Sequence, residues 1–116
     1  MSFRFPKTKR LAKPSEIRKV LTSGRKLKVT GFVIKWKWRE NASESRVCVT
    51  VRKKQVRTSV ARNRLRRLVK EFFRLNQSRF VRPVDIVVQA ESAHLLKFEQ
   101  LETIFKAAFK NTGILP

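Results

Sequence analysis

The segment VRKKQVRTSVARNRLRRLVKEFF, residues 51–73, joins the end of a valine-rich strand to a basic loop and an amphipathic helix. At about 100° per residue, the helical pattern runs from Ser59 to Leu75 and gathers its apolar side chains into an arc of about 140°. That arc contains Ala61, Leu65, Leu68, Val69, Phe72 and Phe73. An apolar arc is typical of a helix that packs on a core, so we predict a central helix here, with Ser59 as its N-cap.

The other side of this helix carries one acid, Glu71, and six basic residues: Arg62, Arg64, Arg66, Arg67, Lys70 and Arg74. Solvated helix surfaces usually mix the two signs of charge, because like charges four residues apart weaken a helix. Arg62, Arg66 and Lys70 nevertheless form a like-charged series at that spacing. The pattern therefore indicates a surface that binds a polyanion.

The composition agrees with this interpretation. The 116 residues include 29 lysines and arginines against 8 acids, which gives a formal net charge of +21. Such repulsion destabilises a compact state unless a polyanion neutralises it. Apolar residues make up 41% of the chain, which is enough for a modest core. We predict one domain over residues 1–116, with a flexible basic arm at residues 1–12.

The first half of the chain predicts a helix and two strands. Pro14 opens a short helix over about residues 14–22, and Gly24 ends it. Residues 31–39 alternate in the manner of a strand with one buried face and one wet face that carries Lys35 and Lys37. Residues 46–52 form the next strand, and the six-residue turn between the two favours antiparallel pairing.

The second half adds a strand and a helix. Residues 84–89, VDIVVQ, predict an interior strand because the run is nearly all apolar. Ser92 is expected to cap a last helix that extends to about Lys110. With a further short strand near residues 26–29, we predict an α/β fold of the α+β two-layer sandwich type. Its order is helix, strand, strand, helix, strand, helix, around a central mixed sheet.

Several classes of function are disfavoured. The acids are spread about one per element, so the sequence offers no carboxylate cluster for the metal ions of a protein nuclease, and Asp85 is expected to act as a cap or to pair with an arginine. Cys48 is the only cysteine and is expected to be a buried, inert thiol. His94 has no evident partner for general-base catalysis. No apolar run approaches the roughly 18 residues of a membrane span, so we expect a cytoplasmic protein without a membrane partner.

The polyanion that fits best is folded RNA. Arginine matches phosphate oxygens and also stacks on bases. The sequence lacks zinc-finger, RRM and KH signatures, which favours recognition of backbone and shape over reading of bases. A basic ribosomal or nucleoid structural protein is the alternative, since it would share the size and charge. A cationic membrane-surface protein would suit the central helix alone but not the buried strands.

The run Arg62-Asn63-Arg64-Leu65-Arg66-Arg67 resembles the signature of the protein component of bacterial ribonuclease P, in which an Arg-Asn-Arg-hydrophobic-basic-Arg sequence opens the central helix. Residues 11–24, RVCVTVRKK at 46–54 and VDIVVQA at 84–90 also fit that family in order and spacing. The resemblance therefore covers nearly the whole chain.

The resemblance implies that an RNA subunit performs the chemistry. That subunit uses Mg²⁺ to remove the 5′ leader from precursor tRNA, while the protein binds no cofactor of its own and supplies no catalytic residue. The family also has a left-handed βαβ crossover through the signature helix, an exception to the usual handedness. We expect a 1:1 complex with the RNA subunit, with dimerisation left open.

Two sets of binding residues follow from the resemblance. Contacts with the RNA subunit would come from the central helix and its loop, through Lys53, Lys54, Arg57, Arg62, Asn63, Arg64, Arg66, Arg67 and Lys70. Contacts with the leader would come from a cleft between the first helix and the sheet, lined by Lys13, Ile17, Leu21, Lys35, Thr50 and Arg52.

The sequence departs from the family pattern in two places. The loop before the signature helix lacks the usual Gly-Asn pair and reads Lys54-Gln-Val-Arg-Thr-Ser, where Arg57 is expected to supply a contact. Ile17 and Leu21 stand where the first helix usually offers aromatic side chains. Because stacking on a base is worth about 1–3 kcal/mol, leader binding here is expected to depend more on the basic residues of the cleft.

Overall fold

The computed structural model describes residues 9–91 and 97–116. Its helices are α1 (Pro14–Ser23), α2 (Ser59–Asn76) and α3 (Phe98–Thr112). Its strands are β1 (Arg25–Val29), β2 (Phe32–Trp38), β3 (Arg46–Val51) and β4 (Val84–Ala90). A short 3-10 turn, Gln77–Arg79, follows α2. This order confirms the predicted α+β arrangement, including the short strand before β2.

The four strands form one mixed sheet in the order β1-β2-β4-β3. β1 and β2 form a hairpin whose turn includes Gly31, with a φ of 76° that favours glycine. β4 pairs antiparallel with β2 and parallel with β3. The predicted direct pairing of β2 with β3 is therefore wrong. β4 is buried on both faces and lies between β2 and β3. In this position the backbone N–H and C=O groups on both of its edges are paired with a neighbouring strand.

The main core lies on one face of the sheet, under α2 and α3. Alternate residues of β2 and β4 point into it, and Ile34, Ile86 and Val88 are fully buried there. Phe72 of α2 packs edge-to-face on Phe105 of α3, with ring centroids 5.3 Å apart. Since α2 connects β3 to its parallel partner β4, the three elements form a βαβ unit.

α1 lies on the opposite face of the sheet. A smaller cluster there consists of Leu11, Val20 and Val87, with Ile17, Leu21 and Cys48 partly buried against it. On the same face, Lys28 of β1 and Thr50 of β3 are exposed. α1 therefore covers only part of this face, and the uncovered part positions one of the two sites described below.

Two boundaries differ from those predicted. Thr58 rather than Ser59 is the N-cap of α2, because its Oγ1 accepts a hydrogen bond from the backbone N–H of Ala61 at 3.2 Å. The buried Leu11 donates its backbone N–H to the oxygen of Val47 at 3.0 Å. The predicted flexible arm thus does not extend to residue 11.

The last helix begins later than predicted. α3 starts at Phe98, after an N-cap at Lys97 whose backbone N–H donates to Oε1 of Gln100 at 2.9 Å. Ser92, predicted as its cap, and His94 lie outside the described residues.

Candidate nucleic-acid interface

The basic side of α2 faces away from the main core, as its helical pattern predicts. Leu65, Val69 and Phe72 are buried beneath it. Asn63, Arg64 and Arg67 are exposed on α2, and Lys53, Lys54 and Arg57 are exposed in the preceding loop, while Arg62, Arg66 and Lys70 are half-buried. The structure therefore brings all the residues predicted to bind the RNA subunit onto the loop and helix as one basic surface.

Arg62 joins the helix to the loop. Its Nη1 donates hydrogen bonds to the backbone oxygens of Val56 and Arg57, both at 2.9 Å. Val56 is itself buried in the main core, and its N–H donates to the oxygen of Arg52 at 3.0 Å. Arg62 therefore has a structural part in holding the loop, in addition to the contact with RNA that the resemblance implies.

The basic surface continues around the edge of β3. Asn63 is exposed, and its Oδ1 accepts a hydrogen bond from Nη1 of Arg66 at 3.1 Å. Burial lowers the pKa of Lys70, and the nearby charges of Arg10 and Arg66 lower it further. Arg10, which no sequence pattern singled out, bridges to Val47 at the start of this edge. A basic band thus runs from α2 towards the face of the sheet that carries α1.

The second candidate surface is the uncovered part of that face. Strand register places Lys26, Lys35, Val87 and Cys48 in one row across the sheet. The next row contains Lys28, Val33, Gln89 and Thr50. The lysines of β1 were missed as site candidates, although the alternation in RKLKV at residues 25–29 was a signal for them.

One side of α1 borders these rows. Val20 points at the sheet, while Ile17 and Leu21 follow each other at i,i+4 on one flank and are half-buried. Glu16 and Ser23 occupy the other flank. Glu16 accepts hydrogen bonds from Arg46 and Ser23 accepts one from Lys37, and both partners lie opposite Asp85 in a third row of the sheet. The Ile17 flank is thus left to form one wall of a groove whose floor is the uncovered sheet.

The residues predicted to contact the leader lie on α1 and its N-cap, on the floor of this groove, or just after β3. Ile17, Leu21 and Lys35 are half-buried, and Lys13, Thr50 and Arg52 are exposed. Arg52 extends the edge of β3, since its N–H donates to the oxygen of Ala90 at 3.2 Å. The half-exposed position of Lys35 fits a hydrated ammonium beside a groove better than one sealed beneath a helix.

Arg46 fastens α1 to the sheet. Its Nε and Nη2 donate to the two carboxylate oxygens of Asp85 at 2.9 and 2.8 Å, and its Nη1 and Nη2 donate to those of Glu16 at 3.2 and 2.8 Å. These bonds lower the pKa of Glu16, raise the pKa of Arg46 and confirm that Asp85 pairs with arginine. We call Arg46, Glu16 and Asp85 the α1 clamp.

Among residues 9–91 and 97–116, no three His, Cys, Asp or Glu side chains lie together as a metal site would require. Cys48 is half-buried rather than buried as predicted, and this partial burial raises the pKa of its thiol. In the same described part of the chain, no helix is long and apolar enough to span a bilayer.

The fold and the two surfaces define a small, strongly basic α+β protein that binds a nucleic-acid backbone. The chain belongs to the ribonuclease P protein family, whose model matches residues 5–113. This membership decides against the ribosomal or nucleoid alternative that composition left open.

Individual relatives agree with the assignment. The chain is 38% identical to the ribonuclease P protein component of Geotalea uraniireducens over 85% of this chain and 86% of that protein. It is 35% identical to the component from Clostridioides difficile, over 95% and 96% of the two chains. The structure of the Staphylococcus aureus RNase P protein covers 93% of this chain and 98% of its own at 21% identity, and a TM-score of 0.82 shows the shared fold.

Proposed function

We propose that this chain, as the protein subunit of ribonuclease P, binds two RNAs on two surfaces. The basic surface of α2 and its loop binds the catalytic RNA subunit, and the groove beside α1 binds the 5′ leader of precursor tRNA. The observation that carries the proposal is the basic band of Arg66, Lys70 and Arg10, which joins the two surfaces around the edge of β3. A single RNA complex can contact both surfaces at once along such a band.

The α2 surface suits a folded RNA. Its arginines extend from a helix whose residues Leu65, Val69, Phe72 and Phe73 are buried in the core, so the backbone from which they extend is held in place before binding. Planar guanidinium groups match phosphate oxygens in pairs, and neutralising several phosphates makes affinity fall steeply with salt. This supports binding through backbone and shape, with the RNA subunit as the partner.

The groove suits a single strand. Lys35 and Thr50 lie on its floor, Lys13 and Arg52 lie at its margins, and Ile17 and Leu21 offer apolar side chains that bases can cover. Contacts of this kind follow the backbone without reading the sequence, which a leader of variable sequence requires. The aliphatic wall makes the basic residues the main source of leader affinity.

The chemistry is assigned to the RNA subunit with its Mg²⁺. Three of the eight carboxylates pair with arginines: Glu16 and Asp85 hold Arg46, and Glu71 holds Arg74. On this proposal the purified protein alone does not cut precursor tRNA at the mature 5′ end, with or without Mg²⁺. Site-specific cleavage by the RNA-free protein would contradict it. We further propose a 1:1 complex located in the cytoplasm.

The leader groove is tested by Lys35→Glu in holoenzyme reconstituted with the cognate RNA subunit. Replacing an attraction by a repulsion of about 1–2 kcal/mol should weaken binding of leader-bearing precursor tRNA roughly five- to thirtyfold. Binding of mature tRNA and of the RNA subunit should remain near wild type. Lys110→Glu, at an exposed position of α3 on the other side of the sheet, is the charge-matched control. Equal losses for leader-bearing and leaderless tRNA would refute the groove.

A further inference from the structure

The α1 clamp joins a helix to a sheet that it otherwise contacts through few apolar side chains. Val20 is the one residue of α1 that is fully buried, whereas α2 buries five residues. The N-cap of α1, Lys13, makes no side-chain capping bond. The position of α1 on the sheet therefore depends more on polar contacts than the position of α2 does.

The α1 clamp can fix the position of α1 on the sheet. Arg46 and Asp85 are paired across β3 and β4, and their side chains are only 15% and 13% exposed. Four N–H···O bonds connect the Arg46 guanidinium to the two carboxylates, each held by a two-point contact. Two-point contacts fix direction as well as distance, so Glu16 can hold one rotation of α1 about its axis.

The clamp lies outside the groove. Glu16, Arg46 and Asp85 line a cavity of about 430 Å³ together with Lys19 and Lys37, and neither Ile17 nor Leu21 lines it. Since Glu16 and Ile17 are adjacent in sequence, they lie about 100° apart around the helix. A rotation that released Glu16 from Arg46 would therefore move Ile17 and Leu21 relative to the groove floor.

We propose that Arg46 and Glu16 are positioning residues that set the width of the leader groove by holding α1 against the sheet, without contacting RNA themselves. The two carboxylates use four of the five N–H donors of the Arg46 guanidinium, so the clamp has little donor capacity left for a phosphate. This inference rests on the proposed leader groove and adds to it the residues that fix its geometry.

The test is Glu16→Gln in reconstituted holoenzyme, with Glu99→Gln at an exposed position of α3 as the control for the same change of charge. The amide places an NH₂ group where Arg46 needs an acceptor, so α1 loosens while the fold is retained. We expect the preference for leader-bearing over leaderless precursor tRNA to fall by about fivefold, at the lower end of typical coupling between sites. Affinity for the RNA subunit should not change.

Two further measurements separate a positioning role from a general loss of stability. Amide hydrogen exchange should increase in α1 and stay unchanged in α2. Glu16→Asp, which keeps the charge on a shorter side chain, should recover part of the leader preference. If Glu16→Gln keeps the leader preference of Glu99→Gln while Lys35→Glu loses it, the clamp proposal is overturned and the groove stands. If neither Glu16→Gln nor Lys35→Glu affects the preference, the groove itself is refuted and the clamp proposal fails with it.

Discussion

Replacing Arg62 by alanine should destabilise the domain as well as weaken its binding to RNA. One nitrogen of Arg62, Nη1, donates to the oxygens of both Val56 and Arg57 at 2.9 Å. Hydrogen bonds that involve a charged group contribute about 1.5–3 kcal/mol when shielded from water. Arg62 is half-buried, so water replaces part of each bond after truncation, and we expect a loss of about 1–2 kcal/mol.

The assay is urea unfolding followed by the fluorescence of Trp36 and Trp38, which contact each other at a centroid distance of 5.4 Å. For a domain of this size the same loss corresponds to a fall in Tm of roughly 4–10 °C. Arg67→Ala, at an exposed position five residues further along α2, removes the same chemical group and should change the free energy of unfolding by less than about 0.5 kcal/mol.

Equal unfolding curves for Arg62→Ala and Arg67→Ala would refute the structural role of Arg62. Arg62→Lys adds a second check, because lysine retains the charge but its nitrogen lies one bond nearer the backbone than Nη1 and so does not reach both carbonyl oxygens as well. We expect Arg62→Lys to keep most of the wild-type affinity for RNA. It should recover only part of the stability that Arg62→Ala loses. If Arg62→Lys is as stable as the wild type, the bonds from Arg62 to the loop contribute little.

The other predictions concern the clamp, the core and one close backbone contact. Because the pKa of Glu16 is lowered on folding, its contribution to stability is present above its unfolded pKa of about 4.5 and is lost as the pH falls through its lower folded value, so the unfolding curves of wild type and Glu16→Gln should converge as the pH falls below about 4.5. Phe72→Ala should cost about 3–5 kcal/mol in urea unfolding, since the ring is fully buried among other phenylalanines, and a loss below about 1 kcal/mol would contradict this packing. Gly24→Ala should lower the Tm, since a Cβ there would lie 2.4 Å from the oxygen of Val20 and 2.8 Å from that of Trp36; an unchanged Tm would show that this contact relaxes freely.

The sequence predicts the elements better than their arrangement. Periodicity identifies α2 and β4 because each buries side chains in a pattern that its own residues determine. The order of the strands depends instead on which edges remain free after the β1–β2 hairpin forms, and a short turn after β2 wrongly suggested β3 as its neighbour. An interior β4 was itself the signal that both of its edges needed partners.

The same limit applies to the site. The outward direction of Arg64 and Arg67 follows from the helical pattern alone. The bond from Arg62 to the loop depends on the path of residues 53–58, and the α1 clamp joins Glu16, Arg46 and Asp85 from three separate elements. Contacts between residues so far apart in sequence become visible only when the sheet is assembled.

The insertion of β4 between β2 and β3 also affects how the chain folds during synthesis. Arg46 and its partner Asp85 are 39 residues apart, so β3 has no strand to pair with until α2 and most of β4 have left the ribosome. Until then the β1–β2 hairpin and β3 expose unpaired edges, and the sheet is completed by contacts of long sequence separation, which form slowly. A nascent chain that ends before Val84 should therefore lack the assembled sheet, and the groove would appear only late in translation, after the arginines of α2 are already exposed to RNA.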